Sequence, residues 1–359
     1  MSRFAGSRDG NFALIMAFAA IPLVLAVGFS ADYTMAIQSR SGMQNALDAA
    51  TLSIVNMPKT ATNEEREVKL KEFYAANGGQ GTAKLESFVI GNTGSADAES
   101  SAEYDVPTNF MGIARIDKVP VDVKAEVHKE PSLIKTTFEI EGASGWWDKT
   151  MTLWGGKYGD PNAQKLLQIS YAYNKGGDPK GYGTMTISTV SKDAQGREVL
   201  TPVQKQVCTT KNVNTFNDAP PGSIKTTTSS GQKKLTTCVT TTMGAAEADV
   251  SQMNSLYLEM KIPNPNPGLN GGRLPTGTKE TLRSDDPNTS NRLYLGGVEV
   301  ETGKKVDIFT VVPCGETSKQ SWEDGGNAVP APVSNADFHY KVTGKCDYTP
   351  RPLGISLAK

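Results

Sequence analysis

Histidine occurs only twice in the 359 residues, as His128 and His339, and the four cysteines all lie at or beyond Cys208. That scarcity removes most metal and nucleophile chemistry. No Cys-x-x-Cys exists, so a tetrahedral zinc set would have to mix both histidines with widely spaced thiols. His339 as a base for Cys314 is the one thiol arrangement to weigh, and a single histidine among strands is more often structural. The phosphate-binding Gly-x-x-x-x-Gly-Lys loop is missing, because Gly156, Gly303 and Gly344 precede lysine without a glycine five positions earlier. Neither a Gly-x-Ser-x-Gly nucleophile elbow nor an Asp-x-Asp-x-Asp-Gly calcium loop is present. Lys+Arg (37) and Asp+Glu (38) nearly cancel and no block of five like charges occurs, which argues against a nucleic-acid partner. These absences predict a non-enzymatic chain with no cofactor and no metal.

Long apolar runs are equally scarce. The single one is Phe12 to Ala31, FALIMAFAAIPLVLAVGFSA, between Arg3/Arg8 and Asp32. As a helix, about 20 residues span roughly 30 Å, the thickness of the hydrocarbon core of a bilayer. Pro22 is tolerable in such a helix. The competing reading is a cleaved secretory signal with Ala26 and Gly28 at the cut, but the apolar core exceeds the roughly 7 to 15 residues usual for one. A lipoprotein is not expected, since no cysteine lies near the start. Positive charge before the run and Asp32 after it predict a cytoplasmic N-terminus (1–11), one transmembrane helix (12–31) and everything later outside the cytoplasm.

Beyond the run the apolar residues keep helical spacing: Phe29, Tyr33, Ala36, Met43, Leu47, Ala50, Ile54 and Met57. Met57-Pro58 is the first firm stop. The spacing predicts one rod from Phe12 to Met57, roughly 70 Å long. Its stripe, Tyr33 to Met57, can pack on the chain's own following strands or form a seam for helices of other subunits in a homo- or hetero-oligomer. A second helix is expected over Asn63 to Tyr74, with Val68, Leu70 and Phe73 buried and Glu64, Glu65, Arg66, Glu67 and Lys69 solvated, ended by Asn77-Gly78-Gly79.

Strands are expected at Lys84 to Ile90, Ala102 to Val106 and Val119 to Val127, the last alternating strictly and so burying one face. They can cover the projecting helix with a small antiparallel sheet. Lys129 to Ser132 marks a boundary, giving a first region over 32–130 and a β-rich, sandwich-like extracytoplasmic domain over 131–359. In that domain strands are expected at Thr136–Glu141, Lys149–Trp154, Leu166–Tyr173, Thr184–Val190, Leu256–Ile262, Leu293–Leu295, Val298–Glu301, Val306–Val312 and Phe338–Val342. Thr209 to Thr242 and the Pro/Asn/Gly run Pro263 to Gly277 read as long surface loops. The fold class is therefore α+β.

An even cysteine count in an exported domain predicts two disulfides. Cys208 with Cys238 and Cys314 with Cys346 are favoured among the three connectivities, because each closes a local loop. The aromatic cluster Trp146, Trp147, Trp154 and Tyr158 is either core or a surface for a ligand or partner. On the second reading, the chain could instead be a released binding module for a carbohydrate or surface ligand.

Residues 10–52 resemble the N-terminal region of TadG-like proteins of the Tad (tight adherence, Flp) pilus assembly system. Gly10-Asn11, Ala13, Pro22, Gly28, Asp32-Tyr33 and Gln44 to Ala50 carry the resemblance, and Val106 to Ile113 followed by Val119 to Val127 resembles the close of that family's first domain. It implies a pilin-like plan, a bacterial inner-membrane location with a periplasmic C-terminal domain, other pilus assembly proteins as partners, and a role in cell adhesion. Many longer members carry a von Willebrand A type domain with an Asp-x-Ser-x-Ser metal loop; the nearest string here, Asp249 to Met253, ends in methionine. Related pseudopilins are cut after a glycine and carry Glu at the fifth mature position, whereas Ile15 stands fifth after Gly10. The resemblance therefore implies an anchor that is not removed.

Overall fold

The computed structural model describes residues 9–145, 147–157, 159–173, 181–262, 281–324, 330, 332–352 and 354–358. The chain forms two compact units, one comprising Met1–Pro131 and Tyr348–Lys359, the other Ser132–Asp347. The overall class is α+β, with a long apolar helix followed by three antiparallel sheets.

In the first unit, α1 (Asp9–Ile54) is a single helix of 46 residues that runs through Pro22. It stops three residues short of Met57. The chain turns at Val55 to Met57, and α2 (Asn63–Ala76) begins at a capping box in which the Thr62 hydroxyl accepts from Glu65 N–H and the Glu65 carboxylate accepts from Thr62 N–H. Strands β1 (Thr82–Ile90), β2 (Ala96–Pro107) and β3 (Lys118–Lys129) follow as an antiparallel sheet. Alternation on β3 turns Val121, Val123, Ala125 and Val127 inward, where they meet Met43, Ala46, Leu47, Ala50 and Ile54 of α1. Small residues opposite, Ala83, Ala98 and Ala102, leave room for the helix to lie on the sheet.

Two features of this unit differ from the sequence reading. The inner face of α2 is Arg66, Leu70 and Tyr74, while Val68 and Phe73 are exposed. Arg66 is drawn in because its guanidinium reaches the end of α1, donating to the Ile54 carbonyl at 2.6 Å and the Pro58 carbonyl at 2.7 Å, and stacks over the Phe88 ring at 3.8 Å. Residues 348–359, assigned in sequence to the second domain, belong to the first unit: a last strand, Ile355–Ala358, completes the sheet by pairing with β3. The second unit is thus inserted between two neighbouring strands of the first.

The second unit contains β4 (Ser132–Ala143), β5 (Lys149–Lys157), β6 (Gln164–Tyr173), β7 (Gly183–Lys192), β8 (Glu198–Val213), β9 (Ile224–Thr227) and β10 (Lys233–Thr242). It continues with β11 (Glu247–Asp249), β12 (Met253–Lys261), β13 (Thr281–Arg283), β14 (Leu293–Leu295), β15 (Val298–Glu299), β16 (Thr317–Trp322) and β17 (Phe338–Asp347). These form one sheet in the order β13-β12-β5-β6-β7-β8-β10-β9 and another in the order β11-β4-β17-β16-β14-β15. Both sheets contribute to one core, Met151, Leu153, Ile169 and Ile187 from the first and Phe138, Tyr340 and Val342 from the second, which makes the unit a sandwich.

Thr209 to Thr242 is not a loop. It holds the end of β8 and all of β9 and β10, with β8 and β10 paired in register from Lys233↔Val213 to Thr242↔Gln204. Threonine is β-branched and suits a pleated surface, so polarity there does not mean irregular backbone. Val306 to Val312 is not a strand either: Asp307 caps a one-turn helix, α3 (Ile308–Val311), its carboxylate accepting from Phe309 N–H at 2.9 Å. The run Pro263 to Gly277 lies outside the described residues.

Candidate functional site

The helix α1 changes character along its length. Met16, Phe18, Leu23, Val24 and Val27 are exposed, whereas Met43, Leu47, Ala50 and Ile54 are buried. α1 is long and apolar enough to cross a membrane. Of the stripe read from the sequence, Ala36, Met43, Leu47, Ala50 and Ile54 lie in the core of the first unit and Met57 packs at its edge. The seam is therefore filled by the chain's own strands.

Tyr33 is the exception, pointing outward with 61 % of its surface exposed. The inward position one turn before Ala36 is Asp32, 2 % exposed, which a count of apolar residues passes over. Its carboxylate accepts three backbone hydrogen bonds, from Asn109 N–H at 3.0 Å, Phe110 N–H at 2.8 Å and Met111 N–H at 2.7 Å. These are the free donors at the start of a short 3-10 helix, Met111–Ala114. One turn toward the N-terminus, Phe110 lies directly on Gly28, where an added Cβ would come within 2.5 Å of the Phe110 Cβ. Asp32 and Gly28 together clamp the β2–β3 loop to α1. The only signal in the sequence was a lone carboxylate ending an apolar run, part of the Asp32-Tyr33 pair.

At the other end of α1 three side chains satisfy its terminal carbonyls. Besides Arg66, the Lys129 ammonium donates to the Val55 carbonyl at 3.2 Å, Asn56 Oδ1 at 2.7 Å and the Arg351 carbonyl at 2.7 Å, and the Tyr348 hydroxyl lies 2.8 Å from the Val55 carbonyl and 2.6 Å from that of Met57. Cations suit the negative end of a helix dipole. Burial, then repulsion by Arg351 and Arg66, nonetheless pushes the Lys129 pKa down to about 8 from its ordinary 10.5. Above about pH 8 the unfolded chain therefore holds more protons than the folded one, and stability rises with pH. Unfolding free energy of the detergent-solubilised protein should increase by about 1 kcal/mol from pH 8 to 9, and Lys129→Met should abolish that slope. Burial also raises Tyr74 and Tyr348 above their ordinary 10, and because the unfolded chain loses those protons first they act in the opposite sense near pH 10, so the slope is read below pH 9.

In the second unit, Cys208 is bonded to Cys238 and Cys314 to Cys346. The first pair sits directly cross-strand between β8 and β10. With Cys314 in a disulfide, no thiol is available to His339, whose ring nitrogens pair with the Ser321 hydroxyl and the Ala336 carbonyl. Trp147 packs against the core. Trp154 stands opposite Tyr257 across β5 and β12, the rings stacked with centroids 6.3 Å apart. Lys165 lies over the Trp154 ring and Arg283 over the Tyr257 ring, so the rings are engaged by one another and by cations. A groove of about 340 Å³ lies alongside, lined by Thr152, Gln168, Glu259 and other polar side chains. Trp146 and Tyr158 lie outside the described residues.

A buried charge centre that the sequence did not disclose joins Lys149 to Asp324 and Asp337, with Nζ at 2.6 Å and 3.5 Å from their carboxylates. Glu323, also buried, offers an oxygen close to those of both aspartates. Three such carboxylates could hold a cation, and the Lys149 ammonium already supplies one. Burial lowers the Lys149 pKa, but Asp324 and Asp337 more than offset it and the net shift is upward. Burial also raises Asp337, with Lys149 pulling it back and Asp324 raising it further. The arrangement fits an internal ion pair.

No curated protein and no solved structure matches the chain. A family model described as putative Flp pilus-assembly TadE/G-like does match, over residues 10–53. That interval is α1 almost from end to end, including Gly28, Asp32 and the buried stripe. The N-terminal region of this chain is accordingly a Tad domain, of the TadE/G-like Flp pilus-assembly family.

Proposed function

We propose that this protein is a non-enzymatic, single-pass component of Tad/Flp pilus assembly, anchored in the bacterial inner membrane with its N-terminus in the cytoplasm. Both units then lie in the periplasm, where they meet pilus or envelope partners. The carrying observation is that the Tad domain coincides with a helix whose first half exposes its apolar side chains and whose second half is sheathed by the chain's own sheet. Apolar surface left uncovered over such a length calls for lipid or another protein. Cleavage of α1 near Gly28 would remove residues on which Phe110 rests, which weighs against release as a soluble module.

In-cell photo-crosslinking from Tyr33 and Ile37, both exposed on α1, tests the reading. The expected result is recovery of the protein in the membrane fraction, with other pilus assembly proteins captured from these positions. A soluble periplasmic product beginning near Phe29, or capture confined to unrelated proteins, would reject it.

A further inference from the structure

We propose that the β2–β3 loop, Thr108 to Asp117, is a second membrane-contacting element that enters the outer part of the bilayer beside α1 and holds lipid acyl chains against the helix. This rests on the anchor reading above. The first argument is depth. Phe110 is seated on Gly28, which lies inside the apolar run and one helical turn, about 6 Å, before Asp32. If the run spans the hydrocarbon layer, a residue level with Gly28 is at its outer edge.

The second argument is the character of the loop surface. Ile113 is 69 % exposed, Ile116 45 % and Phe110 43 %, three large apolar side chains on a ten-residue loop. Phe110 also walls an apolar groove of about 270 Å³ whose other side is Leu23, Val24, Val27, Gly28 and Ala31 of the same helix. The groove is thus continuous with the surface of the candidate span, and an acyl chain is the occupant that such a surface meets along its length. Arg115, exposed at the tip in the left-handed region (φ 63°), offers a cation to phosphate headgroups.

The third argument concerns the backbone. Irregular backbone is excluded from lipid unless its polar groups are satisfied. Here Asp32 takes the Asn109, Phe110 and Met111 N–H groups. Ile113, Arg115 and Ile116 donate to Phe110, Gly112 and Met111 carbonyls, and Thr108 N–H donates to the Asp117 carbonyl. The buried carboxylate thus makes a polar loop compatible with an apolar layer.

The test uses the full chain in phosphatidylethanolamine/phosphatidylglycerol vesicles. Because no cysteine is free, a nitroxide can be placed by Ile113→Cys, with Val24→Cys as the lipid reference and Val89→Cys, exposed on β1, as the water reference. The expected result is that the label at Ile113 loses collisions with a water-soluble nickel complex and gains them with oxygen, as at Val24 and opposite to Val89. Adding Asp32→Ala should restore nickel collisions at Ile113 and leave Val24 unchanged. Nickel access at Ile113 with Val24 protected would overturn the loop proposal alone. Protection from both reagents with dipolar broadening between labels would overturn it in favour of a second copy. Nickel access at Val24 would overturn the anchor reading, and the proposal with it.

Discussion

Leu47→Asp is expected to unfold the first unit, at a cost of about 4 kcal/mol or more. Leu47 has no exposed surface and sits where α1 crosses the sheet, among Met43, Ala50 and the inward residues of β3. The change forfeits the burial of a leucine, about 1.5 to 3 kcal/mol, and places a carboxyl group where no partner is arranged for it. The control is Ile37→Asp on the exposed face of the same helix, expected to shift stability by no more than about 0.5 kcal/mol. Hydrogen exchange of the α1 segment in detergent reads both. The pair separates the two meanings of the apolar stripe. If Leu47→Asp kept normal exchange protection and lost only association with other chains, the stripe would be a seam between subunits and the packing described above would be wrong.

Lys149→Met is expected to destabilise the second unit by about 3 to 5 kcal/mol, the range for breaking a buried pair and stranding its partner. Asp324 and Asp337 would remain buried beside one another with no ammonium between them. Both would then hold protons more tightly than in the unfolded chain. The folded state would bind more protons above the ordinary carboxylate pKa, and its stability would fall as pH rises. Acidification toward pH 5 should therefore recover part of the loss, and Asp324→Asn added to Lys149→Met should recover part at neutral pH. Denaturant unfolding followed by far-ultraviolet circular dichroism measures this. A flat pH response in Lys149→Met would mean that water reaches the site and that the centre is not a closed ion pair.

The Asp32 clamp and the Lys149 centre differ in how they relate to the family. Asp32 and Gly28 fall within the Tad match, whereas Lys149, Asp324 and Asp337 lie in the second unit, beyond it. The clamp ties a loop to the helix at the edge of its apolar run. The ion pair joins β5 to two residues between β16 and β17 and serves the sandwich itself.

Local order was legible in the sequence because its causes are local. The apolar run, the stop before Pro58, the helix over Asn63 to Tyr74 and the alternation of Val119 to Val127 each depend on residues a few positions apart, and the structure places helix and strand accordingly. The favoured cysteine pairing was also readable, since each bridge closes about 30 residues. Tertiary structure alone decided what required distant partners. Asp32 meets backbone groups 77 to 79 residues away, Lys149 meets Asp324 at a separation of 175, and Lys129 meets the Arg351 carbonyl at 222. Arg66 was read as solvated because charge normally is, and it is buried because the end of α1 needs donors. The returning strand Ile355–Ala358 follows from the open edge of β3, a demand made by the sheet and invisible in the short apolar segment that meets it.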